Sequence, residues 1–325
     1  MKLFNKGLIP GLIAIFMFLS SYTTVAAAPI TTDDATTFFD ELVQEKMASS
    51  QLPNLTLSVV ADGEIILAKS YGFANFSEQR QVDPATTLFR VGSISKLFTW
   101  TAVMQLVEQG KLDLDTDVNA YLDFEIPSQL EITSGASEAE AITLTHLMTH
   151  TPGFEDNSET LFRLSQTEAL SLHEYVRSDL PARVFPAGEV IAYSNYGSAL
   201  AGYIVEQVSG IPFEEYVQQH IFTPLGMEHS TFRQPLPEDL SSNMAQAYRY
   251  VDGEFLPGAF EFMPSPAGGL SRGYGSVYVS PSSGQTFARC PNTRRRYRAP
   301  NAGRAVHASS KPARHLLWVY GKTVQ

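Results

Sequence analysis

The chain has 325 residues, 44% of them hydrophobic and 18% charged, with a formal net charge of −11. That length can bury a substantial core, as one large domain or two intimate lobes, and the composition is ordinary for a globular protein. A single cysteine, Cys290, excludes an internal disulfide and argues against a cysteine nucleophile or a cysteine metal site.

Residues 2–27 read as a secretory signal: Lys2 and Lys6, an apolar stretch from Leu8 to Leu19, then small residues ending in Val25-Ala26-Ala27. Cleavage is expected after Ala27. The apolar stretch is short for a bilayer span and is broken by Pro10 and Gly11, so a secreted or periplasmic protein without a stable membrane anchor is expected. Asp33 to Met47 suits an amphipathic helix with Phe38, Phe39, Leu42, Val43 and Met47 on its apolar stripe. Leu55–Val60 and Glu64–Tyr71 are strand-like runs around Asp62-Gly63, a strong hairpin signal. Gly72 to Pro84 reads as a loop.

The next stretch, residues 89–112, organises the chain. Gly92 frees the backbone before Ser93, and an apolar helical pattern through Ile94, Leu97, Phe98, Val103, Met104 and Val107 runs until Gly110 stops it. With almost no polar face, this helix belongs in a core. Ser93 and Lys96 nevertheless stand three residues apart in its first turn, which places amine beside hydroxyl. A buried ammonium is costly and shifts pKa readily, and a helix N-terminus aims N–H groups at any anion forming at Ser93. This is a Ser-x-x-Lys arrangement.

Asp113, Asp115 and Asp117 alternate, but without a Gly and a terminal Glu at calcium-loop spacing they read as a solvated turn. Thr143 is placed to cap a short helix, Leu144 to Thr149, ending in His150-Thr-Pro-Gly153. His146 and His150 lack the Glu of a His-Glu-x-x-His site, so they read as structural. Residues 159–180 give one or two helices, Gly197–Val208 another ending at Gly210, and Pro212–Phe222 a further one. Before the Gly197 helix, Tyr193-Ser194-Asn195 sits in a turn. A tyrosine near an ammonium is drawn toward phenolate, and an Asn there can hold Lys96, a substrate amide or the helix N-terminus.

Gly-Ser-x-Ser-Lys at 92–96 and Tyr-Ser-Asn at 193–195 resemble the serine β-lactamase and penicillin-binding-protein superfamily, in the branch with class C β-lactamases, D,D-carboxypeptidases and related esterases. Leu106–Leu114, Ile142–Gly153, Phe185–Glu189, Ile221–Met227 and Pro266–Leu270 are similar to family sequence too, so the resemblance runs from about residue 35 to 271. It implies an α/β (α+β) β-lactamase/transpeptidase-like fold, a helical lobe beside an antiparallel sheet. It also implies an acyl-serine hydrolase with Ser93 as nucleophile, Lys96 and Tyr193 moving protons, and Asn195 orienting Lys96 and substrate. Tyr193 is the favoured base over His150, whose loop looks structural. The Ser93 N–H would supply half of an oxyanion hole. The implied partners are small-molecule or peptide substrates (a β-lactam, a peptidoglycan peptide or an ester), with no cofactor, no metal and no nucleic acid.

The family's third motif, Lys-Thr-Gly or His-x-Gly, has no match: Lys322-Thr323-Val324 lacks the Gly, and His307-Ala308-Ser309 is no better. Residues 29–261 hold all 34 acidic residues with 11 basic ones, whereas 262–325 hold 10 basic and no acidic residues. The organisation read from this is a signal at 1–27, a truncated hydrolase domain at 28–271 and an atypical basic tail at 272–325. That tail is either a frameshift product or a genuine segment for anionic wall polymer or nucleic acid. Loss of the third motif would remove an oxyanion donor and leave the first hairpin without sheet partners. A catalytically impaired wall-binding or penicillin-recognising protein is the alternative function.

Overall fold

A computed structural model describes residues 30–61, 64–127, 140–155, 170–258, 278–279 and 315–320. Residues 31–325 group as one unit apart from residues 1–30. The expected signal at 1–27 lies outside the described residues, among which no helix is long and apolar enough to cross a membrane.

Helix α1 (Thr32–Ser49) starts at a capping box: the Thr31 side chain accepts from Asp34 N at 3.1 Å, and the Asp34 carboxylate accepts from Thr31 N at 3.3 Å. Ala35, Phe39 and Val43 recur at helical spacing and are buried against Leu55, Leu57, Val59 and Leu67. Phe38 departs from the expected stripe and is 61% exposed, because adjacent helical residues point about 100° apart and only Phe39 faces the sheet. Strands β1 (Asn54–Ala61) and β2 (Glu64–Asn75) pair antiparallel from Asn54↔Gly72 to Ala61↔Glu64, with an irregularity at Val59/Val60. The expected turn residues, Asp62 and Gly63, lie outside the described residues.

The loop expected from Gly72 is partly strand. β2 continues to Asn75, and β3 (Arg80–Gln81) pairs back onto it. Gly72 makes this possible: its φ is +77°, and a Cβ there would run into the Pro53 carbonyl oxygen.

After β4 (Phe89–Arg90) comes a 3-10 turn, Gly92–Ser95, and then α2 (Lys96–Glu108). α3 (Leu144–Met148) is capped by Thr143 as its sequence predicts. α4 (Leu172–Ser178) falls in the helical region read at 159–180, of which 156–169 lie outside the described residues. α5 (Asn195–Ser209) stops at Gly210 with φ +71°, and α6 (Phe213–Val217) passes into a π-type turn, Gln218–Phe222. Phe98, Ala102, Val103 and Leu106 of α2 share one core with Ala199, Leu200, Tyr203 and Ile204 of α5. Phe98 meets Phe222 edge-on at 5.1 Å. Each fully buried Leu or Phe contributes about 1.5–3 kcal/mol, so α2 is fixed firmly.

The remaining elements are β5 (Ser230–Thr231), α7 (Glu238–Ser241), the hairpin β6 (Tyr248–Val251) and β7 (Glu254–Pro257), β8 (Tyr278–Val279) and β9 (His315–Tyr320). One sheet has the order β3-β2-β1-β9, and a second has β4-β8-β5. Here an expectation is corrected: the first hairpin is not left without a partner, since β9 pairs antiparallel with β1 from Ala61↔His315 to Thr56↔Tyr320. Composition alone concealed this, because backbone pairing does not depend on the charge balance around a strand. The fold is a helical core beside antiparallel sheet.

Gly72→Ala is expected to lose about 1–3 kcal/mol of stability in urea unfolding, from strain at a left-handed position. Phe38→Ser is expected to change it by less than about 0.5 kcal/mol, as for an exposed site.

Candidate active site

The site begins where the 3-10 turn meets α2. Gly92 has φ +59°, and the Ser95 hydroxyl donates to the Gly92 carbonyl at 2.6 Å, so the turn is tied from inside. In the first turn of such a helix the Ser93 N–H lies outside the turn's own hydrogen bonds. Lys96 opens α2 and is only 6% exposed, while Leu97 beside it turns outward.

The second wall is the start of α5. Ser194 takes the cap position, its hydroxyl accepting from Gly197 N at 2.9 Å. That leaves Asn195, the first helical residue, to turn its Oδ1 to Lys96 Nζ at 2.8 Å. Lys96 Nζ also donates to Ser93 Oγ at 3.3 Å, and the Tyr193 hydroxyl donates to the same oxygen at 2.6 Å. The ammonium lies 4.9 Å from the Tyr193 ring centroid. All four residues singled out by sequence, Ser93, Lys96, Tyr193 and Asn195, therefore meet in one cluster.

Electrostatics follow from burial. Among the described residues both hydrogen-bond partners of Lys96 are neutral, and burial of its charge pushes its pKa down from 10.5 to about 8. A fraction of neutral amine is thus accessible near neutral pH, which an exposed lysine does not offer.

The loop carrying Tyr193 is laced to the His150-Thr-Pro-Gly153 segment, a relation that sequence reading did not find. Val184 N donates to Gly153 O at 2.8 Å, Gly188 N to Thr151 O at 2.8 Å, and Ala192 N to His150 O at 2.8 Å. Ser194 N donates to His150 Nδ1 at 3.2 Å. The signal was Gly153 itself: at φ +80° any Cβ would collide with the Phe185 carbonyl. His146 and His150 are both engaged by backbone, since His146 Nδ1 accepts from Thr143 N at 3.2 Å. The Lys-Thr-Val and His-Ala-Ser stretches at 322–324 and 307–309 lie outside the described residues.

Comparison with known proteins gives the family of the chain. The family model described as "Beta-lactamase" matches residues 39–322, beyond the point near 271 where the resemblance was read to stop. The chain is 32% identical over 177 residues to a Bacillus subtilis (strain 168) protein that bears the name penicillin-binding protein PbpX, covering 54% of this chain and 41% of that one. It therefore spans about two fifths of that relative's length. Among solved structures, the octameric penicillin-binding protein homologue from Pyrococcus abyssi matches with a TM-score of 0.62 at 26% identity, over 78% of this chain and 55% of that one. The penicillin-binding protein from Bacillus halodurans matches with a TM-score of 0.57 at 27% identity, over 76% and 71% of the two chains. With most of its length matched by the family model and its folded core superimposing on these neighbours, the chain belongs to the Beta-lactamase family.

Proposed function

We propose that this chain is an exported serine hydrolase that cleaves an amide or ester through an acyl intermediate on Ser93. The observation that carries the reading is the convergence on Ser93 Oγ of the Tyr193 hydroxyl at 2.6 Å and the buried Lys96 amine at 3.3 Å. A serine hydroxyl becomes a nucleophile only when a neighbouring base removes its proton as it attacks. The reactive form is the one in which the Lys96–Tyr193 pair has lost one proton. Tyr193, the closer group, takes the Ser93 proton while Oγ bonds to the substrate carbonyl carbon. The oxygen that gains charge faces the Ser93 N–H and the N-terminal end of α2. Tyr193 then returns the proton to the departing amine or alcohol, and a water activated by the same group releases the acyl product. Asn195 holds Lys96 in place throughout.

β-Lactams, D-alanyl peptides and small esters are the substrate classes this reading takes in. The signal at 1–27 is proposed to direct secretion or periplasmic location, with residues 28–271 as the hydrolase domain. The acid-free composition of the tail favours an origin of 272–325 in a change of reading frame, whereas the family match to residue 322 and the pairing of β9 with β1 favour a genuine end of the domain. Resequencing the gene separates the two, an intact third motif in another frame supporting the first and none in any frame the second. The missing third motif favours one second reading, a penicillin-recognising or wall-binding protein that acylates slowly without turnover.

Incubation of folded protein with a β-lactam or a reactive phosphonate is expected to give a single mass adduct that is lost in Ser93→Ala; no adduct on folded wild type overturns the hydrolase reading. Tyr193→Phe is expected to slow adduct formation by ~10²–10⁴, the usual contribution of a general base. In the wild type the rate should climb with pH toward about 8, where Lys96 titrates. Survival of that limb in Tyr193→Phe would move the base to Lys96.

Lys96→Met supplies an independent check. The unfolded lysine keeps its proton up to about 10.5 and the folded one only to about 8. The stability penalty is therefore full below 8 and fades as pH rises between the two values. The variant should be inactive, and its melting temperature should exceed that of wild type at pH 7 by more than at pH 10.

A further inference from the structure

We propose that His150 is a positioning residue for Tyr193, clamping the residues on either side of it and supporting its ring, so that the phenol is delivered to Ser93. This rests on the reading of Tyr193 as the proton carrier.

Three consecutive loop residues meet one imidazole residue. Ala192 N donates to the His150 carbonyl at 2.8 Å and Ser194 N donates to His150 Nδ1 at 3.2 Å. Between those anchors the Tyr193 ring lies 4.5 Å from the His150 ring, centroid to centroid, at an interplanar angle of 38°. Tyr193 is half exposed, and an exposed side chain on a loop has several rotamers open to it. Fixing the backbone on both sides and one face of the ring removes most of that freedom, which is what holds a hydroxyl at 2.6 Å from a nucleophile.

The backbone of His150 is arranged for this task. It sits at φ +57°, a left-handed conformation that non-glycine residues reach at a cost. Thr151 N to His146 O at 2.8 Å and Gly188 N to Thr151 O at 2.8 Å hold the turn there. Accepting through Nδ1 requires a neutral ring with its proton on Nε2. Burial, and then the charge of Lys96, hold the His150 pKa below the usual histidine value, so the accepting form is the one present at neutral pH. Nδ1 is taken by Ser194 N–H, so it is not the atom that receives the Ser93 proton.

The test is a double-substitution cycle read as the rate of Ser93 adduct formation with a reactive phosphonate, on variants whose thermal unfolding confirms folding. His150→Phe keeps a ring but removes the acceptor; His150→Asn restores an acceptor near Nδ1 and tolerates positive φ. His150→Phe is expected to slow the reaction about 10²-fold, as for a misplaced catalytic group, with half-saturating concentration little changed. His150→Asn should recover most of that loss. In a Tyr193→Phe background, His150→Phe should cost almost nothing more. An equal loss in both backgrounds, or none in either, overturns the positioning role and leaves the base assignment intact. A Tyr193→Phe protein as fast as wild type overturns the base assignment and this inference with it.

Discussion

The site depends on one buried ammonium. Lys96 sits at the N-terminal end of α2, where the helix dipole is positive and a cation is disfavoured by about 0.3–1 kcal/mol. Among the described residues its hydrogen-bond partners are an amide oxygen and a hydroxyl, neither charged. Burial and dipole thus both push the proton off. The same dipole favours negative charge at Ser93, so a cost levied on the resting lysine is matched by a gain when the oxyanion forms. The apolar packing of α2 through Phe98, Ala102, Val103 and Leu106 keeps the arrangement from relaxing.

Holding Lys96 uses two kinds of support. α2 and α5 pack as a pair that fixes Lys96 and Asn195, while Ser93 is set by the 3-10 turn that Ser95 ties to Gly92. Tyr193 lies on the connection before α5, and order there comes from backbone hydrogen bonds to the segment around His150. Division of labour between Ser194 and Asn195 joins the two supports: a hydroxyl satisfies the helix N-terminus, so the amide need not.

Much of this was legible in the residues. Spacing placed Lys96 beside Ser93, because helical geometry converts short sequence offsets into distances, whereas Tyr193 and Asn195, about a hundred residues away, were joined to them only by the family resemblance of Tyr-Ser-Asn. The lacing of 150–153 to 184–194 was not legible, since main-chain hydrogen bonds leave no side-chain signature; only Gly153, obligatory for steric reasons, betrayed it. Phe38 was misplaced because adjacent phenylalanines compete for one stripe. β9 was missed because its segment carries the unusual composition of the tail, whereas strand pairing is set by what lies opposite.

That pairing has a kinetic side. Thr56 and Tyr320 pair across the sheet although most of the chain lies between them. Contacts so distant in sequence are slow to form, because the closure entropy must be met before any pairing is gained. At roughly 5–20 residues per second, β1 emerges from the ribosome on the order of 10–50 s before β9 exists. For that interval one edge of β1 stands open, and its apolar residues Leu55, Leu57 and Val59 have only β2 and α1 for cover. The sheet is therefore completed long after its first hairpin is made, and the open edge of β1 is where an unfinished chain would associate with another.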